Sequence, residues 1–352
     1  MTVYLVVFLL LSGLALFRGR KAGSEVLLWA VLAGLIVLVG TRLNTGCDFS
    51  SYEQRFLTAA YYDSLTEAIS GGEAGFQSLV YVTRSMGLDY VWLNVFCALI
   101  FFTGVGFFVR RHPEPLVVVA LMFPILVVQL SMSGVRQAIA VSFLMLALVA
   151  FMDRKRLLSV IWIFLGATFH QSLLLFLPLA WMSGRRLSVP RVLAALAILG
   201  PLALILISER IQVYGDRYVE QIYGESESVG GLIRLGLLLA TAFVFELYKK
   251  RVMVAFPDQF LMMRVFSLIT FALVPVAMIS TVAVHRLGFY VIPVQLFTLA
   301  ILPLAIFGNQ INRSFFRLVP LAVYATYMIV WFATSRHAQV CYSPYNSYLL
   351  GQ

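Results

Sequence analysis

One histidine and two carboxylates occupy positions from which a side chain could move a proton. His170, in ATFHQSLLLFLP, carries an imidazole whose pKa near neutrality allows it to take a proton from a hydroxyl group. Asp48, in TGCDFSSYEQRF, and Glu73, in EAGFQSL, are the carboxylates in comparable positions. A histidine at the end of an apolar run is more often an interfacial hydrogen-bonding group than a catalyst. His112 and His337 are expected to be solvated.

Arginine is the second residue type of interest, because its planar guanidinium binds phosphate or carboxylate bidentately and keeps its charge when desolvated. Arg136 begins an apolar run in SGVRQAIA, and Arg286 begins another in HRLGFY, with Tyr290 one helical turn further along. A helical spacing of i, i+4 and i+7 in ERIQVYGDRYVEQIYG predicts one face that carries two arginines and an aromatic ring: Arg210, Tyr214 and Arg217. For any single arginine, pairing with a nearby acid or snorkelling to the interface is an equally good expectation.

Several classes of site lack support in the sequence. No GxxxxGK[ST], GxGxxG, HExxH or CxxC pattern occurs, so neither a cofactor nor a metal ion is expected. Ser172 has no GxSxG context, which argues against a serine hydrolase. The net charge of +10 comes from short clusters between apolar runs, so nucleic acid is not an expected partner.

The composition predicts an all-α polytopic membrane protein. The chain is 61% hydrophobic and 12% charged, with a mean hydropathy of +0.92, which is far more apolar than a soluble domain. A helix of about 20 apolar residues crosses a bilayer. About twelve spans are predicted, within limits of ten to thirteen, and a GT-C-like architecture is one arrangement of them. They lie at about 3–17 (a retained helix rather than a signal peptide), 25–41, 90–109, 115–131, 136–152, 156–169, 171–183, 190–208, 231–248, 259–280, 286–306 and 318–334. The segment 156–183 could be broken at the pair His170 and Gln171.

The distribution of charge orients these spans. Alternate connections hold sixteen basic residues, including all four lysines, whereas the loops 42–89 and 209–230 hold eleven of the 16 acidic residues. The positive-inside rule therefore places both termini and these two loops outside the cytoplasm. Nine arginines remain at the outer ends of spans, where topology disfavours them, and together they favour an anion-binding cavity: Arg42, Arg55, Arg84, Arg136, Arg210, Arg217, Arg234, Arg286 and Arg336.

The two long loops belong to a single membrane domain over residues 1–352, since neither a repeat nor a low-complexity linker divides the chain. Apolar residues in 42–89 recur at helical spacing, which predicts short interfacial helices there and, by the same reasoning, in 209–230. Cys47 and Cys341 both fall outside the cytoplasm in this topology, so a disulfide between them is a further hypothesis.

Four motifs in order resemble the EpsG-like group of polysaccharide polymerases, which is similar to Wzy-type O-antigen polymerases. They are TRLNTGCDFSSYEQRF (41–56), EAGFQSL (73–79), SGVRQAIA (133–140) and ATFHQSLLLFLP (167–178). The resemblance runs from about residue 40 to residue 290, and it implies a glycosyltransferase that acts at the periplasmic face of the bacterial inner membrane. The donor would be a growing glycan on undecaprenyl pyrophosphate, and the acceptor a lipid-linked repeat unit. A chain-length regulator is a further partner that such a function could involve.

The resemblance, together with the residue types, suggests a role for each site residue. His170 is the first choice for the general base, with Asp48 as runner-up; Asp48 could equally hold an arginine in place. Glu73 is a further acid that could supply the base or bind the pyrophosphate or glycan. Pyrophosphate is expected to bind Arg136, Arg286 and Arg217, with Arg42 and Arg210 as weaker choices. The tyrosines expected to bind phosphate or stack on sugars are Tyr52, Tyr214, Tyr218 and Tyr290.

Two other functions remain open at this point. A ligase would move finished glycan from the same carrier to an acceptor such as lipid A core, and it would share the donor site. A transporter or flippase of lipid-linked oligosaccharide also fits twelve spans. Against it, the ionisable residues cluster at outer span ends instead of the midplane, and no inverted pair of Gly/Pro-interrupted halves is seen.

Overall fold

The computed structural model describes residues 1–17, 24–183 and 229–351, and these residues are mostly helical. The first helices are α1 (Thr2–Phe17), α2 (Ser24–Gly40), α3 (Phe49–Thr58), α4 (Leu65–Ser70), α5 (Ala74–Ser85), α6 (Tyr90–Val109), α7 (Pro115–Met122), α8 (Val135–Met152), α9 (Arg156–Ala167) and α10 (Leu177–Met182). The remaining helices are α11 (Val229–Ala255), α12 (Pro257–Ile279), α13 (Thr281–Ile306), α14 (Gln310–Thr334) and α15 (Arg336–Cys341). A π-helix, Phe123–Ser131, continues α7, and 3-10 segments cover Ala59–Tyr61, Gln171–Phe176 and Tyr348–Leu350.

The apolar helices agree with an all-α, multi-pass membrane protein. Six of them, α6, α8 and α11 to α14, are long and apolar enough to cross a membrane, and five shorter apolar segments occupy other predicted spans. The predicted span 190–208 lies outside the described residues. One predicted boundary is wrong: the span placed at 286–306 begins at Thr281, because Ser280 caps the helix by accepting a hydrogen bond from the amide of Ala283. Arg286 therefore lies in the second turn of α13, not at its start.

The segment from α9 to α10 is a hairpin, which confirms the predicted break near His170. Helix α9 has 12 residues and rises about 18 Å, well short of the roughly 30 Å of a bilayer core. The two ends of the hairpin lie side by side, since Nε of Arg156, at the start of α9, donates to the carbonyl of Ser183, just after α10, at 3.0 Å. The tip at residues 168–170 consequently points toward the other end of the bundle, where it meets the first loop.

That end of the bundle, called the loop end below, carries residues 41–89 and the C-terminal tail. Strand β1 (Arg42–Leu43) pairs antiparallel with β2 (Asn346–Ser347), and Cys47 forms a disulfide with Cys341, as hypothesised. The side chain of His337 lies beside these sulfur atoms. The loop itself folds into the short helices α3, α4 and α5, which confirms the predicted helices in 42–89. The loop 209–230 lies almost entirely outside the described residues.

The core is centred on α8, α13 and the continuous segment of α7 and its π-helix, which are the most enclosed apolar elements. Apolar side chains occur around the whole circumference of these elements, as expected of helices surrounded by other helices, and the few polar ones include Arg136 and Arg286. Helices α11, α12 and α14 keep more apolar surface exposed, which suits contact with lipid.

His112 corrects one expectation, because it is buried and not solvated. It follows α6, its Nδ1 accepts a hydrogen bond from the backbone amide of Glu114 at 2.8 Å, and its ring packs edge-on against Phe297. Burial lowers the pKa of His112 to about 3, so the ring is neutral. It shapes the turn between α6 and α7.

Candidate active site

The buried carboxylate of Glu73 joins two residues that the sequence placed far apart. Its Oε2 pairs with Nη1 of Arg136, and its Oε1 lies 2.9 Å from Nδ1 of His170. Glu73 is only 6% exposed, so this carboxylate depends on its partners for compensation of its charge. The structure thus brings together three of the predicted site residues in one cluster, named here the Glu73 cluster.

Three separate elements position this cluster. Glu73 immediately precedes α5 in the first loop, Arg136 lies in the first turn of α8, and His170 lies at the tip of the α9–α10 hairpin. Tyr52, on α3, adds a fourth side: Nε of Arg136 approaches its hydroxyl at 3.4 Å, and the guanidinium lies over its ring. Phe76 packs against Tyr52 and anchors α5 to α3.

Gly75 explains how the loop and the hairpin come so close. Its backbone amide donates to the carbonyl of Thr168 at 2.9 Å. A Cβ atom at this position would overlap the Thr168 hydroxyl and lie 3.0 Å from the ring of Phe169. The glycine in EAGFQSL is therefore required for backbone approach, and that approach sets Glu73 beside His170.

The charges of the cluster determine the state of Glu73. Burial alone would raise the pKa of this carboxyl, but the hydrogen bond with His170 and the positive charge of Arg136 outweigh burial and lower it to about 2. Glu73 is therefore ionised at neutral pH and does not serve as a proton acceptor there. A hydrogen bond from Nδ1 of His170 to this carboxylate leaves the lone pair of the neutral ring on Nε2.

Asp48 has the opposite environment. Its backbone amide donates to Oγ of Ser133 at 3.3 Å, beside Arg136 on the same turn of chain. Burial raises the pKa of Asp48, and the Ser133 hydrogen bond and the charges of Arg136 and Arg286 only partly oppose that rise. Gly46, with φ +104°, brings the chain against the carbonyl of Met132 and so sets Asp48 in this position. The surroundings therefore raise the pKa of one carboxyl of the site, Asp48, and lower that of the other, Glu73.

Helix α13 packs beside the Glu73 cluster and forms a further side of the site. The hydroxyl of Tyr290 lies 2.8 Å from Oγ of Ser172, just beyond the hairpin tip. The backbone carbonyl of Arg286 accepts a hydrogen bond from Nε2 of Gln137 at 2.7 Å, beside Arg136 on α8. Both predicted residues of α13 are therefore carried on a helix that touches the hairpin and α8 at the loop end.

Arg42 corrects the prediction that it is a weaker pyrophosphate ligand. Its side chain is only 1% exposed, and its guanidinium donates to the backbone carbonyls of Val39, Thr45 and Met132. An arginine committed to carbonyl groups in this way holds the first loop against the start of α8. Arg42 is therefore a structural residue of the loop end and not part of the ligand-binding set.

The nine predicted outer arginines do not all face one cavity. Arg55 and Arg336 are exposed, and Arg84 stacks over Phe56. Arg136, Arg234 and Arg286 are at least half-buried between helices. The remaining residues predicted for the site lie outside the described residues: Arg210, Tyr214, Arg217 and Tyr218.

The family model for EpsG matches residues 25–347, which include every described residue of the Glu73 cluster and the wall of α13. The chain belongs to the EpsG family. The match confirms the resemblance based on the four motifs and extends beyond residue 290, as far as strand β2. Membership indicates a multi-pass membrane protein with a polysaccharide polymerase-like role. No curated protein and no solved structure matches the chain.

Four residues of this EpsG family member contribute to the site without having been assigned a role from the sequence. Gly75 and Ser133 lie inside two of the quoted motifs, where a glycine and a small hydroxyl residue beside the charged positions were the available signals. Gln137 follows Arg136 directly, and Ser172, considered only as a hydrolase nucleophile, instead pairs with Tyr290. Their roles depend on contacts between distant segments.

Proposed function

We propose that this protein is a polysaccharide polymerase of the inner membrane that moves a growing glycan from undecaprenyl pyrophosphate to a lipid-linked repeat unit. The observation that carries the proposal is the Glu73 cluster, which holds a histidine and an arginine on one buried carboxylate at the loop end. Transfer from a diphosphate carrier needs a base for the incoming hydroxyl and a cation for the leaving diphosphate, and the cluster provides one of each.

His170 is the proposed general base. Nε2 takes the proton of the acceptor hydroxyl while the oxygen of that hydroxyl forms a bond to the anomeric carbon of the donor glycan. The bond between this carbon and the diphosphate oxygen breaks, and the electron pair leaves with the diphosphate. Glu73 fixes the ring through Nδ1 and stabilises the imidazolium that forms, the role of the carboxylate in a catalytic triad.

Arg136 and Arg286 are the proposed ligands of the diphosphate. Arg136 presents a side chain that is 21% exposed and is anchored by Glu73 and Tyr52, so its guanidinium is preorganised instead of freely rotating. Arg286, on α13, is close enough that its positive charge acts on Asp48, as the charge of Arg136 does. Arg217 and Arg210, together with Tyr214 and Tyr218, remain proposed ligands from the sequence.

Asp48 is the second choice for the base. Its raised pKa would suit proton transfer better than that of an ordinary aspartate, and it lies within reach of the charges of both Arg136 and Arg286. In the proposed mechanism Asp48 instead orients these two arginines, with Tyr52 and Tyr290 positioned to contact phosphate or sugar.

The disulfide supports the proposed orientation. A bond between Cys47 and Cys341 is typical of an oxidising compartment, and it lies at the same end as the Glu73 cluster. The site would then face the periplasm with both termini, and the lipid carrier would enter between the apolar helices. A ligase using the same donor and a flippase of the same lipid are the competing functions.

The proposal is tested with purified protein in detergent and lipid-linked repeat units as both donor and acceptor. Chain growth is expected from wild type and from Arg55→Ala, an exposed arginine of the same loop, and none from His170→Gln or Arg136→Ala. Growth in the absence of a second compartment excludes a pure flippase, and growth on repeat units excludes a strict ligase. Wild-type ladders from both site variants would overturn the assignment.

A further inference from the structure

Arg234 is a second interior arginine that the Glu73 cluster does not use. It lies in the second turn of α11 and is 8% exposed. Its Nε donates to the hydroxyl of Tyr327 at 3.2 Å, its Nη1 lies 3.2 Å from Nδ1 of His285, and its guanidinium lies over the ring of Phe289. These groups come from α11, α13 and α14, which all meet at the loop end.

The charge of Arg234 is uncompensated within the described part of the chain. None of the carboxylates there forms an ion pair with it, and its hydrogen-bonding partners are a phenol and an imidazole. A buried charge inside an apolar bundle is costly unless an opposite charge accompanies it. Arg234 uses its Nε and one Nη1 hydrogen in these contacts, which leaves three of its five N–H donors for another acceptor.

Gln129 gives a second, independent sign of a missing acceptor. The Tyr327 hydroxyl accepts from Arg234, so it donates its own hydrogen to Oε1 of Gln129, at 3.1 Å. This direction identifies Oε1 as the oxygen and leaves Nε2 as an amide donor. Gln129 is 6% exposed, and its buried Nε2 has no hydrogen-bond partner in the described ranges. A buried amide donor without a partner costs free energy, so this position beside Tyr327 favours an acceptor.

The position of this group relative to the Glu73 cluster is set by α13. Residues four apart on a helix share a face, so His285 and Phe289 lie on one face and Arg286 and Tyr290 on the adjacent one. The first face meets Arg234, and the second carries Tyr290 to the hairpin beside His170. One helix therefore separates two groups of anion-binding residues.

We propose that Arg234, Tyr327, His285 and Gln129 form a second diphosphate-binding subsite. The inference rests on the proposed function, in which two lipid-linked diphosphates must be held at once, one leaving and one carrying the attacking sugar. The Glu73 cluster holds the leaving diphosphate. The Arg234 subsite holds the diphosphate of the other carrier, whose phosphoryl groups do not react.

Equilibrium binding of radiolabelled farnesyl pyrophosphate, a short and soluble polyprenyl diphosphate, counts the sites in purified protein. Wild type and the control Arg55→Met are expected to bind two equivalents. Arg234→Met and Arg136→Met are each expected to bind one, and the double variant none. Two results would overturn the subsite. Arg234→Met could bind two equivalents of farnesyl pyrophosphate with unchanged affinity, or wild type could bind only one equivalent and Arg136→Met none.

Two further arms complete the test. Tyr327→Phe and Arg234→Lys keep the volume and the charge, respectively, so they carry the test if Arg234→Met does not fold; each is expected to weaken only the second equivalent, by at least tenfold. Phosphatidylglycerol competes at the second site if the occupant is a phospholipid headgroup, a result that also overturns the proposal. Two bound equivalents without chain growth would retain the subsite and overturn the polymerase function.

Discussion

The backbone amide of Gly75 bonds to the carbonyl of Thr168, and this contact joins the loop that carries Glu73 to the hairpin that carries His170. The proposed base and the carboxylate proposed to orient it are 97 residues apart in the chain, so their alignment depends on this approach of two backbones. The contact is closer than any side chain at position 75 would permit. It is the most direct place to test whether the cluster acts as a unit.

Gly75→Ala is expected to abolish most activity while the protein still reaches the membrane. The added methyl group collides with Thr168 and separates the hairpin from the loop, and a displacement of about 1 Å in a catalytic group can cost about 100-fold in rate. Polymer length and rate would be measured against Gly13→Ala, where an added Cβ meets nothing within 4 Å. Equal activity in the two variants would contradict the role given to this contact.

Replacement by lysine is expected to have different effects at Arg136 and at Arg42. Arg136→Lys keeps a charge but loses the bidentate fork, so the rate should fall by roughly 100- to 1,000-fold in a stably folded protein. Arg42→Lys leaves buried carbonyl groups without donors, which costs about 1–3 kcal/mol and lowers the melting temperature. Melting curves and rates measured on both variants separate the two roles; reversed behaviour would show that the assignments are exchanged.

The pH dependence of the rate distinguishes His170 from Asp48 as the base. His170→Gln is expected to lower the rate by about 100- to 10,000-fold. Asp48→Asn removes the group whose pKa is raised by burial, and its rate should fall less and keep the acidic limb of the wild-type profile. If the acidic limb disappears in Asp48→Asn instead, Asp48 is the base.

Glu73 should make the stability of the protein sensitive to acid. Its pKa is lowered from 4.5 to about 2, so its pairing stabilises the fold fully above pH 4.5 and is lost as the pH falls toward 2. The difference in melting temperature between wild type and Glu73→Gln should accordingly narrow between pH 6 and pH 3. Glu67→Gln, at an exposed acid of the same loop, supplies the comparison, and a difference that stays constant with pH would contradict the pairing.

The long apolar helices and the break near His170 could be predicted from the sequence, because hydropathy and helix-breaking residues act locally. The meeting of Glu73, Arg136 and His170 was implied only by motif order, since the contact depends on the missing side chain of Gly75. Charge counting assigned the arginines to one side of the membrane but gave no direction for each side chain. The predictions for Arg42 and His112 were wrong for this reason. The Arg42 side chain points into the protein and donates to backbone carbonyls. His112 is buried where its ring accepts a hydrogen bond from the amide of Glu114, a contact that the pattern of charges does not indicate.

The disulfide between Cys47 and Cys341 has a consequence for biogenesis. Its partners are separated by 294 positions, so the bond closes only after residue 341 has left the ribosome and α14, the long apolar helix before it, has been inserted. The segment that carries Asp48 and Tyr52 therefore has no covalent link to the C-terminal tail through nearly all of synthesis, while the apolar helices between the two cysteines are inserted into the bilayer. Covalent closure of the loop end is thereby coupled to completion of insertion, and a chain that stalls before residue 341 lacks the bond that joins its first loop to its C-terminal tail.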